Sequence, residues 1–315
     1  MFAICIESSH KKGMGHLFRA LNFIDLLKSR NEPHIIFVND NNVAIGLLKS
    51  GNLDFEIVDL TNHESDWESH LIRKYNVHVW INDRLDTDIN HALNVKKNNI
   101  KLVTFDDHGT GAELADIHVA ALSFASDKEL KGKSVLAGVK YLILNKAIEK
   151  AKRHRKNIEH ILVTLGGSDT YGVTLKVVKI LKSLGKKAAI HTGPSFQHHD
   201  NLDSLINKDF NIIGNVNSLI ETFYTYDLAI TGGGITPFEA NASGLPCIII
   251  ANEVFEIPNG RFLNDLGSSV FAGYHEKIDE DIFNKDLDIE KMSWIGMNSI
   301  SLNGADNIYK EIQSH

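Results

Sequence analysis

Cysteine is scarce in this 315-residue sequence, which contains only Cys5 and Cys247. Each lies in an apolar, strand-like run, and the two residues form no CxxC pair. A disulfide framework or a cysteine-ligated zinc site needs several cysteines at suitable spacing, so the sequence argues against both. We interpret the two side chains as buried, reduced thiols of a protein that resides in a reducing compartment.

Long apolar runs are also missing. No stretch approaches the roughly 20 apolar residues that span a bilayer. The chain starts MFAICI and reaches Glu7 without a preceding basic segment. This start is typical of a buried first strand rather than of a signal peptide. We therefore expect a cytoplasmic protein without an integral membrane segment.

An excess of positive charge is absent as well, since the formal net charge is −7. Such a charge repels nucleic acid, and we expect no nucleic-acid partner. The one basic run, at residues 150–156, is interpreted as a solvated helix end and linker. Hydrophobic residues make up 43% and charged residues 23% of the chain, which is typical of a globular protein, and the length favours two domains.

What the sequence does contain is a regular alternation of short β-branched runs with helix-length amphipathic segments, which indicates βαβ units around parallel sheets. In the first half it predicts strands at 1–6, 34–38, 55–59, 78–81, 101–105 and 117–121, and helices at 16–29, 43–50, 65–75 and 88–97. In the second half it predicts strands at 161–165, 187–191, 210–213, 227–231 and 246–251, and helices at 174–184, 216–223 and 236–242, with two further helices at the end.

A helical segment at 143–155 links the two halves, and we place the domain boundary between residues 156 and 157. The predicted fold class is therefore α/β, with a doubly wound domain over residues 1–156 and another over 157–315. Two such domains that face each other form a ligand cleft at the carboxyl ends of their strands.

A glycine-rich loop at residues 13–19, GMGHLFR, lies between the first strand and the first helix. Gly15 allows close approach of a ligand to the backbone, and Arg19 can pair with phosphate or fix the loop. The loop lacks the third glycine of the dinucleotide fingerprint and the Lys-Ser/Thr of a P-loop. His16 is the candidate general base, because an imidazole can accept a proton near neutral pH. An ordinary βα turn is the alternative.

The second half repeats this feature twice. One strand–helix junction carries Gly166, Gly167, Ser168 and Asp169. Another, TGGGITPFE, carries the residues Gly232, Gly233, Gly234, Thr236 and Glu239. Glu239 has two readings: it completes a capping box with Thr236 as N-cap, or its carboxylate accepts hydrogen bonds from ribose hydroxyls.

Three carboxylates, Asp83, Asp106 and Asp107, follow predicted strands, where they either bind a sugar or cap the next helix. The run His198-His199-Asp200 raises the possibility of a metal site. Adjacent histidines point in different directions, and no third ligand stands at metal-site spacing. We interpret that run as a solvated loop and helix start, and we predict neither a metal nor another cofactor.

These loops, in this order and followed by Gly244-Leu245-Pro246, resemble the branch of the GT-B superfamily that contains MurG-type glycosyltransferases and PseG-type UDP-sugar hydrolases. The similarity to the hydrolases is the greater, and it covers nearly the whole chain. It includes Asp83, the Asp106-Asp107 pair and the LAGVKY stretch that ends at Tyr141.

The resemblance implies a GT-B fold and a metal-independent hydrolase that cleaves a UDP-activated amino-deoxy sugar in pseudaminic acid or related surface polysaccharide biosynthesis. It implies that His16 activates water and that the sugar is contacted by Asp83, Asp106, Asp107 and Tyr141. The nucleotide would be held by Gly15, Arg19, Gly166, Gly167, Ser168, Asp169, Gly232, Gly233, Gly234, Thr236 and Glu239.

The chain departs from the hydrolase pattern at Tyr171-Gly172, at Pro237-Phe238 and in the segment 117–122. Two alternatives therefore stay open. One is an inverting GT-B glycosyltransferase that uses the same donor, and the other is a non-catalytic nucleotide-sugar-binding protein. The sequence indicates no oligomeric state.

Overall fold

The computed structural model describes residues 1–8, 15–123, 130–167, 169–193, 195–214 and 218–314. The chain divides into two compact units. The first comprises Met1–Leu144 together with Leu302–His315, and the second comprises Asn145–Ser301. The division thus falls before the boundary expected between 156 and 157, and the chain end belongs to the first unit rather than to the second.

The first unit is built on a seven-stranded sheet in the order β3-β2-β1-β4-β5-β6-β7. All of its neighbouring strands are parallel. The strands in the described part of this unit are β1 (Phe2–Ile6), β2 (His34–Val38), β3 (Phe55–Ile57), β4 (Val79–Asp83), β5 (Lys101–Phe105), β6 (Ile117–Ala120) and β7 (Ser134–Ala137).

Helices cover both faces of such a sheet. Those that the structure describes in the first unit are α1 (Gly15–Ser29), α2 (Asn42–Ser50), α3 (Trp67–Tyr75), α4 (Ile89–Lys96) and the C-terminal α12 (Gly304–Ser314). In α1, Leu17, Ala20, Ile24 and Leu27 are buried, and this spacing of three or four residues places them on one face of a helix. The same helix turns its first residues toward the edge of the sheet at which the strands end.

Helix α12 explains why the chain end returns to the first unit. Gly304 packs directly on the backbone of Leu142, where a Cβ would lie 1.9 Å from the carbonyl oxygen. Tyr309 stacks on Phe2, with ring centroids 6.2 Å apart, and its hydroxyl donates to Glu32 at 2.5 Å.

The second unit repeats the architecture. Its seven-stranded sheet has the order β10-β9-β8-β11-β12-β13-β14, parallel except for the final β13–β14 pair. The strands described are β8 (Ile161–Thr164), β9 (Ala188–His191), β10 (Phe210–Ile213), β11 (Leu228–Thr231), β12 (Cys247–Ala251), β13 (Ser269–Tyr274) and β14 (Lys277–Ile278). The helices described are α5 (Ile148–Ala151), α6 (Val173–Ser183), α7 (His199–Asp203), α8 (Leu219–Thr222), α9 (Thr236–Ala242), α10 (Ile257–Leu266) and α11 (Ile289–Ser299).

The alternation of strands and helices predicted from the sequence is confirmed, and most bounds agree within a few residues. Three strands were not predicted: β7, β13 and β14. The predicted helix at 143–155 is wrong, because only Ile148–Ala151 is helical. Of the predicted helix at 216–223, residues 216 and 217 lie outside the described residues. In the described part of the chain, no helix is long and apolar enough to cross a membrane.

The reading of residues 150–156 as a solvated segment is corrected at Arg155, whose side chain is fully buried. Its guanidinium donates to the carbonyl oxygens of Phe223 and Arg153 at 2.6 Å, to that of Tyr226 at 3.1 Å and to that of Ser243. Arg155 thus joins the first segment of the second unit to the chain preceding β11 and to the turn after α9.

We predict that Arg155→Met lowers the free energy of unfolding by about 3 kcal/mol, because several buried carbonyl groups lose their donor. Urea denaturation followed by circular dichroism measures the loss. The matched control is Lys156→Met at the neighbouring exposed position, which should change stability by less than about 0.5 kcal/mol. Equal stabilities of the two variants would contradict the prediction.

Candidate functional site

The first unit has its candidate site where β1 and β4 lie side by side. The order of the sheet reverses direction there, so the chain leaves these two strands toward opposite sides. The register pairs Ile6 with Asp83, the last residues of the two strands. The loop that leads to α1 therefore starts beside Asp83, and α1 brings its first turn back to the same place.

Asp83 binds two side chains of that first turn. His16 Nδ1 lies 2.5 Å from Asp83 Oδ1, and Arg19 donates to Oδ2 from Nε at 2.9 Å and to Oδ1 from Nη2 at 2.6 Å. His16 and Arg19 are three residues apart and so face the same side of the helix. Because the short contact to Asp83 makes Nδ1 the donor, Nε2 of His16 is left as a proton acceptor.

The electrostatics of this group follow from burial and pairing. Burial by itself would raise the pKa of Asp83, but the Arg19 guanidinium and the hydrogen bonds from Arg19 and His16 outweigh it and hold that pKa below its usual range. Arg19 also donates to Asp106 and lies over the ring of Phe105, 5.0 Å from its centroid. We conclude that Asp83 is ionised and that Arg19 is held on three sides.

The other predicted residues of this unit lie in different surroundings. Asp107 is buried, and its Oδ1 accepts from the backbone N–H groups of Thr87 and Gly109 at 2.9 Å each, so this oxygen holds that loop, whereas Oδ2 has no hydrogen-bond partner among the described residues. The hydroxyl of Tyr141 donates to Glu311 of α12 at 3.1 Å. Gly15 is the exposed first residue of α1. Among the four proposed sugar contacts, Asp106 is the most exposed.

A cavity of about 330 Å³ opens at the carboxyl ends of β1, β2 and β3. Its polar lining includes Glu7, Asn39 and Asp59. Glu7 follows β1 directly, so the cavity begins at the same sheet edge as Asp83. Oxygen atoms of this kind accept hydrogen bonds from sugar hydroxyls or amides.

The second unit has an equivalent point between β8 and β11. The register pairs Thr164 with Thr231, so the two glycine-rich loops start side by side at Leu165 and Gly232. The sheet order reverses direction here too. A ligand at the carboxyl ends of these strands would therefore meet both loops.

The loop after β8 is open at its glycines. Gly166 has a φ of +98°, and a Cβ at Gly166 or Gly167 would meet no atom within 4 Å. Ser168 lies outside the described residues. Asp169 caps α6: its carboxylate accepts from the backbone N–H groups of Val173 and Thr174 at 2.8 Å each. Both carboxylate oxygens of Asp169 thus already accept hydrogen bonds from the helix, and a nucleotide would have to share them.

The loop after β11 corrects the capping-box reading of Glu239. Ile235 already has helical dihedrals, which makes Thr236 the first residue of α9 and Pro237 the second, and no side chain caps this helix. In the described part of the chain, the Glu239 carboxylate has no hydrogen-bond partner. Burial raises its pKa to about 7. A half-buried carboxylate without a structural partner is the strongest sign of a ligand site in this unit.

Sequence reasoning missed two residues that support these loops. Glu256 accepts from the backbone N–H of Gly233 at 3.2 Å, and Asn252 donates from its side chain to the carbonyl oxygen of Leu165 at 3.2 Å. A Cβ on Gly232 would lie 2.8 Å from Asn252 Nδ2. The spacing Glu253-x-x-Glu256 after an apolar strand is a turn signal that could have indicated them.

The two adjacent histidines have no ligand geometry. His198 Nε2 donates to the carbonyl oxygen of Asp169 at 3.0 Å, and both rings contact Phe196 edge-on. Within the described residues, no three His, Cys, Asp or Glu side chains form a group that could hold a metal ion.

Comparison with known proteins found no matching family model. Among curated proteins, the uncharacterized protein MJ1062 of Methanocaldococcus jannaschii is 28% identical over 298 residues, which is 88% of this chain and 58% of that protein. The chain thus spans less than two thirds of this archaeal relative. The spore coat polysaccharide biosynthesis protein SpsG of Bacillus subtilis is 23% identical over 307 residues, covering 88% of this chain and 85% of SpsG.

Solved structures show the fold. MurG of Acinetobacter baumannii superposes with a TM-score of 0.72 at 13% identity, covering 100% of this chain and 99% of MurG. Anabaena HepE in complex with UDP gives 0.66 at 12% identity and covers 100% of both chains. The spinosyn rhamnosyltransferase SpnG with thymidine diphosphate gives 0.64 at 13% identity, covering 98% of this chain and 99% of SpnG. The chain therefore consists of two Rossmann-like domains of the GT-B type.

We predict that Glu239→Gln is more stable than wild type at pH 8 and equally stable near pH 4.5. The folded wild type retains a proton up to about pH 7, whereas the ordinary carboxyl releases it near 4.5, so wild type loses stability between these values. The expected difference at pH 8 is about 1–3 kcal/mol. Urea unfolding at both pH values measures it. The exposed Glu290→Gln is the control, and a pH-independent difference at position 239 would contradict the prediction.

Proposed function

We propose that the protein is a nucleotide-sugar enzyme in which His16 is the general base for attack on the anomeric carbon of a UDP-activated amino-deoxy sugar. The observation that carries the proposal is the 2.5 Å contact between His16 Nδ1 and the buried carboxylate of Asp83. It orients the imidazole and leaves Nε2 to accept a proton. Asp83 also stabilises the imidazolium that forms when the proton is taken.

The second unit is proposed to bind the nucleotide. Gly166 and Gly167 leave space for close approach, and Gly234 leads into a helix without a capping side chain. The Glu239 carboxylate is available to accept hydrogen bonds from ribose hydroxyls. The support from known proteins is that HepE and SpnG, which share this fold, are solved with UDP and thymidine diphosphate.

In the proposed reaction, water attacks the anomeric carbon while His16 Nε2 takes its proton. The bond from that carbon to the β-phosphate oxygen breaks, and UDP leaves with the electron pair. Backbone N–H groups of the glycine-rich loops neutralise the growing charge on the diphosphate. The product is a free sugar of the kind used in pseudaminic acid or related surface polysaccharide synthesis.

Transfer to a sugar hydroxyl is the second candidate. It uses the same base and the same leaving group, with an acceptor hydroxyl in place of water. The observation that favours it is that glycosyltransferases such as SpnG share the whole fold. SpsG, which acts in spore coat polysaccharide biosynthesis, is compatible with either candidate.

We predict that UDP raises the melting temperature of the protein more than NAD or ATP at equal millimolar concentration, because a ligand that binds the native state stabilises it by mass action. A thermal-shift panel measures the effect. Glu239→Ala should reduce the UDP shift without lowering the melting temperature of the free protein. The absence of any uridine nucleotide effect on wild type would refute the nucleotide-sugar proposal.

We predict that His16→Asn lowers turnover by about 10²–10⁴-fold while the Kd for UDP stays near that of wild type. His70→Asn, which changes an exposed histidine on α3, is the control and should keep full activity. The substrate for the test is UDP-2,4-diacetamido-2,4,6-trideoxy-β-L-altropyranose in ¹⁸O-water. Label at the anomeric hydroxyl supports hydrolysis at carbon.

Label in the phosphate would instead mean attack at phosphorus and would exclude the proposed role of His16. Turnover that appears only after a sugar acceptor is added would assign the transfer reaction. Full activity of His16→Asn would contradict both candidates.

A further inference from the structure

The segment from Asn252 to Glu256, here called the 252–256 turn, touches both glycine-rich loops of the second unit. It follows β12, which lies next to β11 in the sheet, and its last three residues, Val254–Glu256, form a single 3-10 turn. Its position beside the loop after β11 is thus set by the sheet. Its contact with the loop after β8, one strand further away, needs side chains.

Two side chains make that longer contact. Asn252 Nδ2 donates to the carbonyl oxygen of Leu165, directly before Gly166. Glu253 accepts from the hydroxyl of Tyr171 at 3.1 Å, and the Tyr171 ring stacks on His275 with centroids 3.9 Å apart. The loop after β8 is therefore held at both of its ends.

Glu256 makes the contact with the other loop. A single oxygen, Oε2, accepts from the backbone N–H of Gly233 at 3.2 Å, from that of Asn252 at 2.8 Å and from that of Glu253 at 3.4 Å. A Cβ on Gly233 would lie 2.7 Å from the Cβ of Glu256, so only glycine fits against this side chain. The same carboxylate thus closes the 252–256 turn and fixes the backbone of the glycine loop.

The turn contributes little to the hydrophobic core. Val254 and Phe255 are 67% and 75% exposed, and no residue of Val254–Glu256 is buried. Its inward groups contact the two loops instead. In this turn the apolar side chains face solvent, whereas the polar side chains contact the two glycine-rich loops. Such an arrangement indicates that the turn helps to position those loops.

We infer that Glu256 is a positioning residue that holds the two glycine-rich loops at the spacing a nucleoside diphosphate requires. The inference rests on the proposed function for the identity of the ligand, whereas the contacts themselves do not depend on it. Glu256 acts through the backbone of Gly233 and through the turn that carries Asn252 and Glu253. It is not assigned a contact with substrate.

The test compares Glu256→Ala and Glu256→Gln with wild type, and the exposed Glu290→Ala serves as the matched control. We expect Glu256→Ala to weaken UDP binding at least about tenfold, because three backbone donors lose a charged acceptor. Glu256→Gln keeps an acceptor oxygen and should restore the Kd to within about threefold of wild type. Calorimetric titration with UDP measures both.

A ligand-independent measurement separates this inference from the proposed function. Amide hydrogen exchange of the free protein should become faster in Glu256→Ala at residues 165–171 and 232–236 and stay unchanged in α11 and in the first unit. If wild type does not bind UDP at all, the proposed function fails, while the exchange pattern still decides the role of Glu256.

Three results would overturn the inference. One is unchanged exchange in both loops of Glu256→Ala. Another is a lower melting temperature of both variants with wild-type UDP affinity, which would show a merely structural residue. The third is a Glu256→Gln variant that binds UDP as weakly as Glu256→Ala, because restoring the acceptor oxygen would then have no effect.

Discussion

The buried negative charge of Asp83 is the constraint on which the site of the first unit depends. A carboxylate at the end of a central strand, 2% exposed, is costly unless cations and hydrogen bonds compensate it. Helix α1 supplies both from one face, with His16 and Arg19 one turn apart. The requirement to neutralise Asp83 therefore also orients the imidazole, and the fold and the proposed chemistry share one interaction.

In the described part of the second unit, the half-buried carboxylate of the candidate site has no compensating cation. The glycine-rich loops of this unit leave open space rather than paired charges, and the carboxylate of Glu239 has no hydrogen-bond partner among the described residues. Burial raises the pKa of both Asp83 and Glu239, but only Asp83 has Arg19 and His16 beside it, so its pKa ends below the usual range and that of Glu239 above it. A buried carboxylate without a compensating partner lowers the free energy of unfolding at pH values above its pKa.

Much of this arrangement was predictable because it depends on local periodicity. The alternation of apolar runs predicted the parallel sheets, and a parallel sheet brings all strand ends to one edge, so that the loops with His16, Gly166 and Gly232 were expected at such edges. Asp83 was placed at a strand end for the same reason. Its pairing with residues of α1, 67 and 64 positions away, has no local signature.

The failures have the same origin. Arg155 looks like a solvent-exposed residue of a basic run, but the carbonyl groups of Phe223, Tyr226 and Ser243, 68 to 88 positions away, accept hydrogen bonds from its guanidinium. The capping box expected at Thr236 does not form, since α9 begins one residue earlier than the motif requires and no side chain caps it. Glu256 had no motif strong enough to indicate that its carboxylate reaches Gly233.

By itself, the sequence determined the α/β class, most of the order of strands and helices, and the loops in which the candidate site residues lie, because these follow from side-chain period and from glycine positions. Only the tertiary structure decided which polar side chains form hydrogen bonds or ion pairs within the protein and which have no such partner. That choice depends on the sheet order, which sets β1 beside β4 and β8 beside β11, and on burial. Both arise from the pairing and packing of segments that are far apart in the chain, which no local pattern encodes.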